Sequence, residues 1–190
     1  MDQCSVQLLD DIRTPECRAF AEAWQGWRGA ELVPRRAQVR LEDIVKILPM
    51  VSVVEITSPE VATIRLFGTA LYDAMGVDLT GLNFFDMITP EFRALRVART
   101  CQSASQPCGS LYTRCMVYQS GRAVLTEGLA LPVMPNDPSA GPQNFVVSMA
   151  LDDPRMDGGA ADPGQLPMPE NFRFVDIGAG VPDLSLGLAD

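Results

Sequence analysis

The stretch that decides the fold covers residues 65–88 and reads RLFGTALYDAMGVDLTGLNFFDMI. Its first three residues end an alternating run with β-branched members, which is typical of a strand. One or two helical turns follow, and Gly76 closes them at the position where helices favour glycine. A turn at 78–81 then leads into a short aromatic-rich helical piece at 82–88. The pattern predicts a strand followed by several short helical elements.

Strands are predicted on both sides of this stretch, and hairpin turns join several of them. The predicted strands cover 51–57, 61–67, 110–118, 122–132 and 144–151. Consecutive strands joined by hairpins form antiparallel sheets, and the helices then collect on one side. The sequence therefore predicts an α+β fold, with a five-stranded antiparallel sheet, helices on one face and an N-terminal helical extension.

Two longer helices begin with the same signal, which is a threonine, a proline and an acidic residue, at 14–16 and 89–91. The first helix ends at Gly29 and carries an apolar stripe at helical spacing. The stripe consists of Cys17, Phe20, Trp24 and Trp27. We interpret it either as core or as the interface of a homodimer, and the residues alone favour neither. In the second helix we expect the inward face to consist of Phe92, Leu95, Ala98 and Cys101. The other faces would carry Arg93, Arg96 and Arg99.

The chain divides into three parts by composition. Residues 1–49 form the N-terminal helical extension, 50–151 the central domain and 152–190 an acidic tail. The tail has eight acidic and two basic residues, and so carries −6 of the net charge of −9. Its Asp, Gly, Ala and Pro residues predict a flexible linker. The apolar segment 172–177 is an exception, because its alternation indicates a strand or a docked segment.

Composition excludes several classes of function. The sequence has no histidine, which removes Ser-His-Asp catalysis, histidine-bearing metal sites and histidine pH switches. An acidic chain without a basic stripe is a poor binder of nucleic acid. The five cysteines form no C-x-x-C pair, so we expect reduced thiols and no metal site. No apolar run approaches the roughly 20 residues that span a bilayer, and the N-terminus lacks the features of a signal peptide. We expect a cytoplasmic protein that does not bind membranes.

The order of these motifs resembles that of a known family. The matching segments are 27–29, 32–36, 44–49, 65–71, 79–81 and 85–88, together with Gly76. The central ones look like the strand-to-helix core of PAS domains. The whole set is similar to a compact alphaproteobacterial branch of PAS-like proteins whose functions are largely unassigned. The resemblance covers residues 20–151.

This resemblance implies a sheet whose concave face and short helices can enclose a small molecule. It also implies a sensing, dimerising or partner-recruiting role, since few PAS modules are enzymes. The residues that would line a ligand site are Phe67, Leu71, Tyr72, Leu82, Phe84, Phe85, Met87, Cys115, Val117, Leu129 and Met149. The alternative is that the same side chains fill a solid core.

Arg65 is a further candidate because it lies in a strand that should be half-buried. A buried guanidinium needs a partner. Asp73, Asp86 or Glu127 could provide a structural ion pair. The functional alternative is that Arg65 anchors the carboxylate of a ligand.

Known PAS cofactors can be compared with the residues present. A haem PAS domain usually needs a histidine ligand, which this sequence lacks. Flavin light sensors that form an adduct place a cysteine directly after a Gly-x-Asn stretch, whereas here Asn83 precedes Phe84. The resemblance therefore leaves open a flavin bound without an adduct, a fatty or aromatic metabolite, or no cofactor.

The sequence thus predicts a non-catalytic sensory or interaction module. It would bind a small ligand or a partner protein and signal in trans through the N-terminal helix or the acidic tail. One alternative is a ligand-free dimerisation scaffold. The least favoured alternative is an isomerase or lyase that uses Asp or Glu, because the commonest catalytic base is absent.

Overall fold

The computed structural model describes residues 11–137, 139–151 and 168–183. The helices are α1 (Pro15–Arg28), α2 (Thr69–Met75) and α3 (Pro90–Ser105). The strands are β1 (Val51–Ile56), β2 (Ala62–Phe67), β3 (Gly109–Val117), β4 (Ala123–Val133), β5 (Gln143–Ala150) and β6 (Glu170–Val175). Short 3-10 turns lie at Arg36–Gln38, Leu41–Ile44, Leu48–Met50 and Phe84–Met87. The predicted strands agree with β1 to β5 to within about a residue at most ends.

All six strands belong to one antiparallel sheet with the order β2-β1-β5-β4-β3-β6. Hairpins join β1 to β2, β3 to β4 and β4 to β5, as the turn residues predict. The α+β fold and the antiparallel sheet are therefore confirmed.

The sheet has six strands where five were expected, because part of the tail adds β6 to the edge of β3. Phe174 and Val175 are buried there, and this apolar area favours docking. The linker predicted between β5 and β6 falls mostly at 152–167, outside the described residues.

Helix α1 covers one face of the sheet, which we call the outer face. Thr14 caps the helix by accepting a hydrogen bond from the Cys17 amide, and α1 packs across β4 and β5. The four residues of its apolar stripe are at most 4 % exposed within one copy of the chain. The expectation that Cys17, Phe20, Trp24 and Trp27 form a dimer interface is therefore corrected, since the sheet already occupies that face.

A buried carboxylate attaches the start of α1 to the sheet. Glu127 of β4 accepts hydrogen bonds from the amides of Arg13 and Thr14, both at 2.8 Å, and from the Thr14 hydroxyl at 2.6 Å. Glu127 is 2 % exposed, so these three donors satisfy a carboxylate that is removed from water. The acid in this apolar strand therefore holds the two residues that precede α1, and it does not pair with Arg65.

The remaining helices cover the opposite face, which we call the inner face. Helix α2 ends at Gly76, whose φ of 73° lies in the left-handed region that favours glycine. The Asn83 side chain then fixes the next turn by accepting from the amides of Ala62 and Phe85. Helices therefore lie on both faces of the sheet, with α1 alone on the outer one among the described helices.

Candidate functional site

A cavity of about 300 Å³ lies between the inner face of the sheet and the helical segments that cover it. We call it the inner cavity. Its walls come from all six strands, from α2, from α3 and from the Phe84–Met87 turn. Most of the wall surface is apolar, and hydroxyl, amide and guanidinium side chains supply the rest, a combination that suits a small-molecule site.

The cavity exists because one face of the central strands carries small side chains. In β4 the inner-face residues include Thr126, Gly128 and Ala130, while Leu125 and Leu129 point to the outer face. A Cβ atom on Gly128 would lie 2.3 Å from the Tyr112 ring, so only glycine lets that ring lie across β4. Small residues on one face and large residues on the other leave space on the inner side and a filled core on the outer side.

Five of the predicted ligand-site residues line the cavity. They are Phe67, Leu71, Phe84, Met87 and Met149, although Met149, which lies opposite Glu127 in the β4–β5 ladder, also packs against the core beneath α1. They come from the end of β2, from α2, from the 3-10 turn and from β5, so the structure brings the predicted strand-to-helix segment and the last hairpin strand together.

Three predicted site residues lie on the outer face instead. Cys115 and Val117 pair with Leu125 and Ala123 in the β3–β4 ladder, and Leu129 is fully buried in the core beneath α1. The expectation was wrong for all three because successive strand residues face opposite sides. The neighbouring set in β3, with the residue that follows the strand, lines the cavity: Ser110, Tyr112, Arg114, Met116 and Tyr118.

Three more predicted site residues are also outside the cavity wall. Phe85 has no exposed surface and packs in the inner-face core with neighbours such as Ile64 and Met75. Tyr72 and Leu82 are 47 % and 48 % exposed, because they lie on the solvent side of their segments. The prediction of these three as ligand contacts is corrected.

Arg65 pairs with a carboxylate that was not among its expected partners. Its Nη2 lies 2.8 Å from Oε1 of Glu55 on the neighbouring strand. The Arg65 hydrogen bond is the main reason that the pKa of Glu55 falls below its usual value. Arg65 is thus a structural ion-pair partner at the sheet edge and does not reach the cavity.

Sequence reasoning missed three arginines that line the cavity: Arg96 and Arg99 of α3 and Arg114 of β3. The expectation that the arginines of α3 lie away from the core was wrong for Arg96, which is 7 % exposed, whereas Phe92 is 37 % exposed. Burial, followed by the charge of Arg114, lowers the pKa of Arg96 to about 10. The spacing of three residues, which places Arg96 and Arg99 on one helical face, was the available signal.

The thiols are poor nucleophiles in this structure. Burial raises the pKa of Cys17 and of Cys108 to about 12, and it also raises the pKa of Cys101 and Cys115. The described cysteines are all free. Within the same parts of the chain, no group of three or more Cys, Asp or Glu residues is arranged to hold a metal ion.

Comparison with known proteins adds a family. The family model described as PAS domain matches residues 12–141, which is about two thirds of the chain and includes α1. No curated protein and no solved structure matches. Among residues 11–137, 139–151 and 168–183, no helix is long and apolar enough to cross a bilayer.

Proposed function

The chain belongs to the PAS domain family, and from that premise we propose that it is a non-catalytic sensory module whose inner cavity holds a small molecule. The family supports a general sensing and interaction role. The ligand would act on the packing of the elements around the cavity. A partner protein or a second copy of the chain would then detect the change.

The observation that carries this proposal is the cavity itself. It lies between the inner face of the sheet and the helical segments that cover it, and its wall combines apolar side chains with polar groups. If the domain bound nothing, larger side chains that filled this space would make it more stable. The space is therefore best explained by an occupant.

The elements around the cavity indicate how a signal could leave it. Leu71 of α2 and Phe172 of β6 both line the wall, so one ligand could contact a short helix and an edge strand at once. Local opening requires the least free energy in elements with few buried apolar contacts, and a short helix and an edge strand have fewer neighbours than a central strand. We place this function in the cytoplasm, which agrees with the free thiols in the described residues.

The other two hypotheses have less support. No acidic side chain of the described residues lines the cavity, so an isomerase or lyase based on Asp or Glu has no base there. A dimerisation scaffold built on the stripe of α1 lacks its interface, because that stripe is buried. A second copy would have to bind elsewhere.

Native mass spectrometry of the freshly purified full chain tests the proposal, with a denatured sample of the same batch as the control. We expect a mass excess in the native sample that disappears on denaturation. An apo mass, followed by no rise in melting temperature with any member of a broad metabolite library, would refute ligand sensing by this cavity.

A further inference from the structure

The inner cavity contains a concentration of positive charge that its apolar wall does not explain. Arg96, Arg99 and Arg114 reach it from two sides, since the first two lie on α3 and the third on β3. No Asp or Glu of the described chain lines the same wall. Three cations thus share one largely buried space without a carboxylate to balance them.

Each guanidinium lies against an aromatic ring. The central carbon of Arg99 is 4.2 Å from the centroid of Phe172, that of Arg96 is 5.2 Å from Phe84, and that of Arg114 is 5.6 Å from Tyr112. A ring contacts the flat face of a guanidinium, whereas the N–H groups point outward in its plane. The rings therefore orient the three groups and leave their donors available.

Several of those donors have no partner in the described structure. They are Nη1 of Arg96, Nε and Nη1 of Arg99, and Nε of Arg114. Arg96 and Arg114 are only 7 % and 6 % exposed, so bulk water does not replace the missing acceptors. Buried charges in proteins are normally paired, because an unpaired charge away from water is strongly unfavourable.

The guanidinium groups also act on one another. After burial, the charges of Arg114 and Arg99 are among the causes that lower the pKa of Arg96. A negative charge between them would reverse each of these unfavourable effects at once, because it supplies acceptors and offsets the repulsion.

We propose that the ligand of the inner cavity is an organic anion, whose carboxylate or phosphate group is bound by Arg96, Arg99 and Arg114 and whose apolar body lies against the remaining wall. This inference rests on the proposed function and specifies its ligand class. Guanidinium groups recognise both head groups through paired N–H donors. Apolar side chains such as Leu71, Met75 and Val146 supply the surface for the body.

The cavity volume limits the size of the anion. A cavity of about 300 Å³ lies at the small end of the range of ligand sites, so an anion of about ten non-hydrogen atoms suits it. Octanoate has this size and combines one carboxylate with an apolar chain. It is therefore a suitable probe, with octyl phosphate as the second anion and octanol as the neutral control.

Isothermal titration of the full chain with these three probes tests the inference. We expect octanoate or octyl phosphate to bind at least about tenfold more tightly than octanol, since hydrogen bonds to charged groups are lost with the alcohol. The anion that binds with the higher affinity identifies the head group. Equal affinity for octanol and both anions would overturn the inference while leaving a ligand-binding module intact.

Substitutions connect the affinity to the arginines. Arg96→Met and Arg114→Met keep an apolar chain of similar length, and each should weaken binding of the anion about tenfold or more without changing the affinity for octanol. Arg93→Gln is the matched control. It lies on α3 as well, but it is exposed and pairs with Asp86 at 2.9 Å, so its affinity should equal that of the wild type.

Other outcomes separate this inference from the proposed function. If none of the probes binds, or if Arg96→Met and Arg114→Met bind the anion as tightly as Arg93→Gln, the inference is wrong. Arg99→Met replaces any variant whose circular dichroism shows that it does not fold. A neutral molecule retained in native mass spectrometry would contradict the anion and support the proposed function. If native mass spectrometry gives the apo mass and no metabolite raises the melting temperature, both the inference and the proposed function are wrong.

Discussion

At the scale of single residues, the inner cavity places Arg96 and Arg114 under opposite demands. Their side chains are buried, their N–H groups are unpaired in part, and neither faces a carboxylate of the described chain. Folding without a ligand leaves both charges poorly solvated. The same features make them effective donors to a bound anion, so stability and binding should depend on them in opposite directions.

The Arg96→Met and Arg114→Met variants should therefore be more stable than the wild type when no ligand is present. Replacement of a poorly compensated buried charge by an apolar side chain is expected to raise the free energy of unfolding by about 1–2 kcal/mol. Urea titration of ligand-free protein measures the change. Lower stability than the wild type would show that the aromatic contacts already compensate the charges.

A second prediction at this scale concerns the ion pair at the edge of the sheet. The pKa of Glu55 is lowered mainly by the hydrogen bond from Arg65, so the unfolded chain holds the proton more tightly than the folded one. The stabilisation is fully present above the ordinary pKa of 4.5 and is lost as the pH falls through the lowered value. Arg65→Met should thus be less stable than the wild type near neutral pH.

The difference between Arg65→Met and the wild type should shrink as the pH falls through the lowered pKa of Glu55, because this carboxyl group becomes protonated in both proteins. Urea titrations across this pH range supply the measurement. Arg40→Gln is the control, since its pair with Asp43 is more exposed. A difference that stays constant with pH would show that Arg65 contributes by packing alone.

At the scale of elements, β6 contributes both to the sheet and to the wall of the inner cavity. It extends the sheet by pairing with β3, and its Phe172 and Phe174 form part of the cavity wall. Contacts with the N-terminal region also hold this end of the chain, because Arg173 pairs with Asp11 at 2.7 Å and Arg28 donates to the Ile177 carbonyl. The strand is therefore part of the fold as well as of the candidate site.

Truncation of Phe174 tests the contribution of β6. Phe174 is 8 % exposed and contacts Phe172 with a centroid separation of 5.1 Å. Phe174→Ala should lower the free energy of unfolding by about 3 kcal/mol. Glu170 in the same strand is exposed, so Glu170→Ala should have almost no effect. Differential scanning calorimetry of both variants measures the change. Identical melting of the two variants would mean that β6 contributes little.

The attachment of α1 to β4 gives the next prediction. Glu127→Ala removes the acceptor of three hydrogen bonds and leaves the amides of Arg13 and Thr14 unsatisfied. The free energy of unfolding should fall by about 2–4 kcal/mol, as for other buried polar groups that lose a partner. Exposed Glu22 of α1 offers the control Glu22→Ala. Equal effects of the two substitutions in urea titration would contradict this role.

Most elements could be predicted from local patterns, whereas the orientation of residues within them could not. The Thr-Pro-acid signals located the starts of α1 and α3, and alternation located five strands. Alternation in β3 defines two faces but does not say which one meets the helices. The assignment of Cys115 and Val117 to the cavity was therefore wrong, although small Thr126, Gly128 and Ala130 already indicated the face with space.

Arginines illustrate the same limit for the site. The prediction that an arginine would anchor a ligand carboxylate selected Arg65, whose strand neighbour Glu55 neutralises it. The arginines that reach the cavity come from α3 and β3, which are distant in sequence from β2. Their convergence depends on the packing of helix on sheet, and residue spacing alone does not determine that packing.

At the scale of the whole molecule, both tryptophans lie in the core between α1 and the outer face of the sheet. Trp24 is 1 % exposed, and its indole N–H donates to the Pro132 carbonyl at 2.8 Å. The family match begins at residue 12 and so includes this helix. The segment predicted as an extension therefore covers the outer face of the sheet, and the chain outside it should not be stable without α1.

Trp24→Ala should accordingly destabilise the protein and leave its oligomeric state unchanged. The expected loss is about 3–5 kcal/mol, as for other buried aromatic residues. Sedimentation equilibrium and urea titration of the same samples give the two quantities. Tyr72→Ala, on the exposed side of α2, is the matched aromatic control. If the wild type is a dimer and Trp24→Ala is a folded monomer of unchanged stability, the stripe of α1 is a dimer interface and not core.

The position of both tryptophans on the outer face also has an optical consequence. The inner cavity lies on the other side of a single sheet layer, so a ligand held there cannot touch either indole. Neighbouring residues of β5 connect the two sides, since Val146 lines the cavity and Val147 packs in the core with α1. A change in tryptophan emission on ligand addition would therefore report movement carried through the sheet, and not quenching by contact.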